Sequence, residues 1–193
     1  MTQPATECVT IVSGLPRTGT SMMMRMLEAG GLPPLTDGER TADDDNPNGY
    51  YELEAVKHTT EDASWLTDAP GRAVKMVYRL LRDLPDDRSY RVVFMRRNLN
   101  EVLQSQQRML QRSGISSATS DEQMRILFER ELAFIDRWFD EHPNFETCHV
   151  IYNDLVSSPR ASADRVNEFL GGALDVDAMT HVVDPTLYRN RVA

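Results

Sequence analysis

Residues 8–13, Cys-Val-Thr-Ile-Val-Ser, form a short run rich in β-branched side chains that opens without any linker into Gly14-Leu15-Pro16-Arg17-Thr18-Gly19-Thr20-Ser21. A run of that kind suits a strand buried on both faces of a parallel sheet. After the glycine loop, residues 21–29 are rich in Met and Leu and contain no helix breaker, until Gly30-Gly31 and Pro33-Pro34 stop them. The order strand, glycine loop, helix is the tightest constraint in the chain. A helix entered from such a loop presents unpaired backbone N–H groups at its start, which makes a cradle for an anion.

The same alternation recurs downstream. Residues 73–78 and 91–95 read as further strands, and residues 149–152 as a fourth. Helices are expected over about 52–62, 100–111, 121–141 and 159–170, the third opened by a capping box from Ser120 to Gln123 and the fourth closed by Gly171-Gly172. Residues 32–50 and 113–120 carry the Pro, Gly, Asp, Asn and Ser density of irregular connections. The 193 residues, 40% of them hydrophobic, are enough for one core. The expectation is an α/β fold, a single P-loop-type domain over residues 1–193, with a parallel sheet and helices on both faces.

A nucleoside triphosphatase loop places Lys just before the final Ser or Thr, but here that position is Thr20 and the cation is Arg17. The run Pro16-Arg17-Thr18-Gly19-Thr20-Ser21 resembles the 5′-phosphosulfate loop of the sulfotransferase superfamily, in the Arg form that looks like tyrosylprotein sulfotransferases and many bacterial members. The resemblance implies 3′-phosphoadenosine 5′-phosphosulfate as sulfuryl donor. It assigns Arg17 to the bridging oxygen and sulfuryl group, and Thr18, Gly19, Thr20 and Ser21 to the 5′-phosphate. The physical logic agrees, since a fixed guanidinium stabilises the charge that grows on a leaving phosphate.

The third strand ends in Arg97-Asn98-Leu99-Asn100-Glu101-Val102-Leu103-Gln104-Ser105, which is similar to the family's 3′-phosphate signature. That similarity assigns Arg97 and Ser105, about two helical turns apart, to the 3′-phosphate. Arg96 beside it either meets substrate or faces solvent. A third segment, Tyr152-Asn153-Asp154-Leu155, resembles the family's Tyr-Glu-Asp-Leu passage, with Asn153 in place of Glu. The chain is shorter than most members, which points to a trimmed acceptor region.

Sulfuryl transfer needs a group to accept the acceptor's proton. None of His58, His142, His149 and His181 matches the cytosolic branch's motif, so a carboxylate is expected. Glu52, after Tyr50-Tyr51, resembles a bacterial segment in which a Gly turn and aromatics precede a Glu; Asp37 lies where the tyrosylprotein branch keeps its catalytic Glu. Glu52 stands first and Asp37 second, with Glu39, Asp43, Asp44, Asp45 and Lys75 nearby in the reading. Met22, Met23, Met24 and Met26 read as core, and Arg189 and Arg191 as a solvated tail or a clasp on the 3′-phosphate.

The net charge of −9 disfavours nucleic acid and anionic membranes as partners. No run of 18 apolar residues and no secretory leader is apparent, so a cytoplasmic location is expected. Cys8 and Cys148 have no metal-like spacing, and no metal is expected. The resemblance implies an acceptor that is a small molecule, a carbohydrate or a peptide, with its identity left open by the sequence. Two other readings stay open: an atypical P-loop kinase using a nucleoside triphosphate and Mg²⁺, and a noncatalytic module that kept the nucleotide cradle.

Overall fold

The computed structural model describes residues 8–39, 49–112, 114 and 120–184. Its centre is a four-stranded, wholly parallel sheet. The strands are β1 (Val9–Gly14), β2 (Ala73–Lys75), β3 (Tyr90–Arg96) and β4 (Phe145–Ile151), in the order β2-β1-β3-β4. The long central ladder aligns Val12 with Val93 and Gly14 with Met95, so β1 and β3 end side by side at the carboxyl edge.

Alternation along the strands sorts side chains to two faces. Ile11, Val92 and Phe94 bury on one face with Phe128, Ile135 and Phe139 of α3 (Asp121–Glu141), beside α2 (Leu99–Arg112). Val12, Val93 and Met95 bury on the other with α1 (Thr20–Ala29), α4 (Tyr152–Ser157), α5 (Pro159–Leu170) and α6 (Val176–His181). Helices thus cover both faces, as the run-length of the strands requires. Met22, Met23, Met24 and Met26 are all buried in this second layer. Burying each such side chain contributes roughly 1.5–3 kcal/mol before entropy is counted.

Three expected elements are changed by their surroundings. The second strand stops at Lys75 instead of continuing through residue 78: its last bond to β1 runs from the Met76 N–H to the Val12 carbonyl, and the chain then turns away although β1 continues to Gly14. The chain turns there into a 3-10 helix, Tyr78–Asp83. The helix expected over 52–62 shrinks to a 3-10 turn, Glu54–His58, where the Thr59 hydroxyl donates to the Val56 carbonyl and receives the Trp65 indole N–H. Such side-chain bonds compete with helix propagation. The fourth strand begins earlier, at Phe145, since pairing with all of β3 draws it in, and Tyr152 opens α4 instead of closing the strand.

Helices α3 and α5 span the expected residues, α3 with its capping box in place. Helix α6 was not foreseen. Asp175 caps it through the Ala178 N–H, and Met179 packs on Gly30 at the end of α1 so closely that a Cβ there would lie 2.7 Å from its Cγ. Among the described residues no helix is long and apolar enough to cross a membrane.

Candidate functional site

The glycine loop joins β1 to α1 with a shape that its residues dictate. Gly14 has φ 151°, and a Cβ there would meet the Met95 carbonyl at 2.6 Å and the Thr18 hydroxyl at 2.7 Å, so no other residue fits. The buried Thr18 hydroxyl donates to the Leu15 carbonyl at 2.7 Å and closes the loop on itself. Gly19, at φ 95°, is the N-cap of α1, with no side chain capping the helix and no acid in its first turn. The ring of Tyr152 lies where a Gly19 Cβ would go, 2.3 Å from the nearest ring carbon. The start of α1 thus turns its backbone N–H groups and its positive dipole end toward the loop, with no acid in the helix's own first turn.

Arg17 is held in the left-handed region, φ 68°. Its carbonyl accepts a bond from Arg97 Nη1 at 3.2 Å, and its own Nε donates to Ser105 Oγ at 2.9 Å. The structure thereby brings together three residues singled out from two separate motifs: Arg17 from the loop, Arg97 from the end of β3, and Ser105 from the second turn of α2. The Ser105 hydroxyl faces the loop's arginine, which fastens the two halves of the site to each other.

Arg97 is oriented by residues that the sequence reading passed over. Its Nε donates to Glu101 Oε2 at 2.9 Å, and the two side chains are only 7% and 2% exposed. Glu101 Oε1 accepts from Asn153 Nδ2 at 3.1 Å, and the guanidinium lies 4.5 Å from the centroid of the Tyr152 ring. A buried ion pair is tolerable when further hydrogen bonds satisfy its oxygens, which Asn153 does here. Burial pushes the Tyr152 phenol up from its ordinary value, so it stays neutral beside Arg97. Glu101 and the Tyr152-Asn153 pair stood inside quoted motifs, but their meeting could not be read from them because 52 positions separate Glu101 from Asn153.

The other edge of the loop carries Lys75 and Glu52. Lys75, at the end of β2, donates to the Tyr50 carbonyl at 2.7 Å and to Ser21 Oγ at 3.3 Å, and lies 3.8 Å from Glu52 Oε1. Glu52 thus sits next to the loop's last residue, with its side chain 30% exposed. Asp37 is placed differently. Its two carboxylate oxygens take the backbone N–H groups of Glu54 at 2.6 Å and Glu39 at 3.0 Å, and those bonds hold its carboxyl below the usual carboxylate range. Asp37 is exposed, and these two bonds tie it into the 37–54 connection.

Arg96 is a structural residue. It pairs with Asp136 of α3, and its Nε donates to His149 Nδ1 at 3.1 Å. Burial first, and Arg96 second, depress the His149 pKa. Cys8 and Cys148 are free thiols, both pushed up by burial. Asp43, Asp44, Asp45, Arg189 and Arg191 lie outside the described residues.

The parallel α/β sheet thus carries a glycine loop at the end of β1 that faces an arginine just past the end of the neighbouring strand β3, the kind of place where anionic ligands bind in such sheets. The sequence profile of the sulfotransferase family matches residues 37–175, and the chain belongs to that family. The glycine loop lies upstream of the matched span and rests on its own geometry. No curated protein matches the sequence.

Among solved structures, the chain is similar to the sulfotransferase domain of the Synechococcus PCC 7002 olefin synthase: TM-score 0.57, 16% identity, 100% of this chain and 92% of that one covered. The sulfotransferase domain from the curacin biosynthetic pathway gives 0.51 at 14% identity, covering 96% and 92%. A sulfotransferase from Alicyclobacillus acidocaldarius gives 0.52 at 18%, covering 91% and 85%. At these identities the shared property is the fold.

Proposed function

We propose that the chain transfers a sulfuryl group from 3′-phosphoadenosine 5′-phosphosulfate to a hydroxyl or amine of a small-molecule, carbohydrate or peptide acceptor. One observation carries the reading: the Arg17–Ser105 bond, which makes the glycine loop and the Arg97 corner a single continuous cradle. The fit of the residues to such a donor is good, because the open start of α1, Arg17 and Arg97 are cationic or N–H-rich groups set at the two ends of that cradle.

When bound, the donor supplies an activated sulfur bearing a phosphate leaving group. Thr18, Gly19, Thr20 and Ser21 hold the 5′-phosphate through the loop and the first turn of α1. Arg97 and Ser105 hold the 3′-phosphate, with Glu101 and Tyr152 fixing the arginine's plane. Arg17 meets the charge that develops on the leaving oxygen. Glu52, beside Ser21 and Lys75, accepts the proton of the acceptor. Asp37, already accepting two backbone N–H groups, serves the connection and not the proton transfer.

Titration calorimetry tests the donor. Adenosine 3′,5′-bisphosphate should bind more tightly than 5′-AMP, and ATP with Mg²⁺ should show no advantage over either. Equal affinity for bisphosphate and 5′-AMP removes the 3′ site, and preference for ATP with Mg²⁺ favours a kinase.

A further inference from the structure

Away from the donor site, on the sheet face covered by α3, the 3-10 helix Tyr78–Asp83 and α3 enclose an open groove of about 680 Å³. Arg79, Arg82, Arg130 and Arg137 line it around the ring of Phe134. Glu131 also lines it and is paired with Arg79 at 3.1 Å. Among the described residues, Arg82, Arg130 and Arg137 meet no carboxylate at ion-pair distance. The patch is strongly cationic on a chain whose net charge is −9.

Its apolar part is continuous with the charge. Phe134 is 39% exposed with the Arg82 guanidinium 5.3 Å from its centroid, and Leu127, two turns earlier on α3, is exposed to the same degree. Positions 127, 130, 134 and 137 follow the spacing of one helix face, so arginines and apolar side chains share a stripe. Such a contiguous patch differs from the singly scattered apolar residues of an ordinary surface.

The chemistry selects the occupant. A long polyanion would feel the negative field of the whole molecule, whereas a short acidic segment feels mainly the arginines within a Debye length. A bare polyanion also gains little from Phe134 and Leu127. We infer that this groove docks an acidic amphipathic helix of a partner protein. Its Leu- or Ile-type residues rest on Phe134 and Leu127, and its Asp or Glu residues meet Arg82, Arg130 and Arg137. The inference uses no donor-site residue and stands apart from the proposed activity.

A fluorescein-labelled synthetic helix with a leucine seam flanked by glutamates, titrated into the full chain and followed by anisotropy, tests it. The expected result is saturable binding that weakens about tenfold or more in Arg82→Glu/Arg130→Glu, and again in Phe134→Ser, the usual scale for a desolvated anchor. Replacing the peptide's seam leucines by serine should weaken it as well. All three substituted positions are exposed, and circular dichroism melts verify that the variants fold. Unchanged affinity in both variants overturns the inference, as does tighter binding of oligo(dT) than of the peptide, which would make the groove a polyanion site.

Discussion

Arg97 is gripped on three sides, by Glu101, by the Arg17 carbonyl and by the Tyr152 ring, and this preorganisation is what a bisphosphate would exploit. Arg97→Ala should lose on the order of 1.5–3 kcal/mol of calorimetric affinity for adenosine 3′,5′-bisphosphate, the scale of a hydrogen bond to a charged group, and little for 5′-AMP. A uniform loss for both ligands would mean that the cradle has collapsed. Glu52 and Asp37 separate by their partners. Glu52→Gln should lower kcat by roughly 10²–10⁴-fold while leaving bisphosphate affinity unchanged, the usual contribution of a general base. Asp37→Asn keeps a side-chain oxygen for the Glu54 N–H and should retain turnover; the opposite pattern would exchange the two roles. Of these residues, Arg17, Arg97 and Ser105, which the structure brings together, could be picked from the sequence because a motif needs particular side chains at fixed spacing; Glu52 and Asp37 were both candidates on resemblance. The Asn153 and Tyr152 contacts that complete the setting of the local Arg97–Glu101 pair could not be picked, since they become visible only when α2 and α4 meet.

At the scale of elements, local chemistry and tertiary context divide the outcome. The ends of α3 and α5 were legible because the Ser120–Gln123 capping box and the Gly171 turn are written within a few residues of each end. The second strand and the turn after it were not, because the apolar run 73–78 carries no local signal for the 3-10 helix that takes over at Tyr78. Tertiary context also governs the glycine loop, whose Gly19 backs onto Tyr152 of α4. Gly19→Ala would place a methyl group against that ring and force an unfavourable φ of 95° on alanine. Overpacking of this kind costs about 1–3 kcal/mol. The variant should melt several degrees lower and bind bisphosphate more weakly; a normal melt with normal binding would mean that Tyr152 moves aside freely.

For the molecule as a whole, pH acts through His149, a half-buried histidine on β4. Burial and Arg96 depress the His149 pKa, Arg165 adds to the effect, and Asp136 opposes it. The unfolded chain then binds the extra proton more readily, so stability is full above the unfolded value near 6.5 and is lost as pH falls from there towards the folded pKa. The melting temperature should drop across that window, and His149→Gln should flatten the drop; an unaltered profile in the variant would assign it to other groups. The bonds that join Arg17 to Arg97 and Ser105 span 80 and 88 positions of chain. No contiguous fragment containing the glycine loop but ending before β3 can make them. A polypeptide cut between α1 and β2 would therefore hold half a cradle on each piece, and the bisphosphate affinity proposed above would return only on mixing the halves, which makes this site a natural seam for a split reporter.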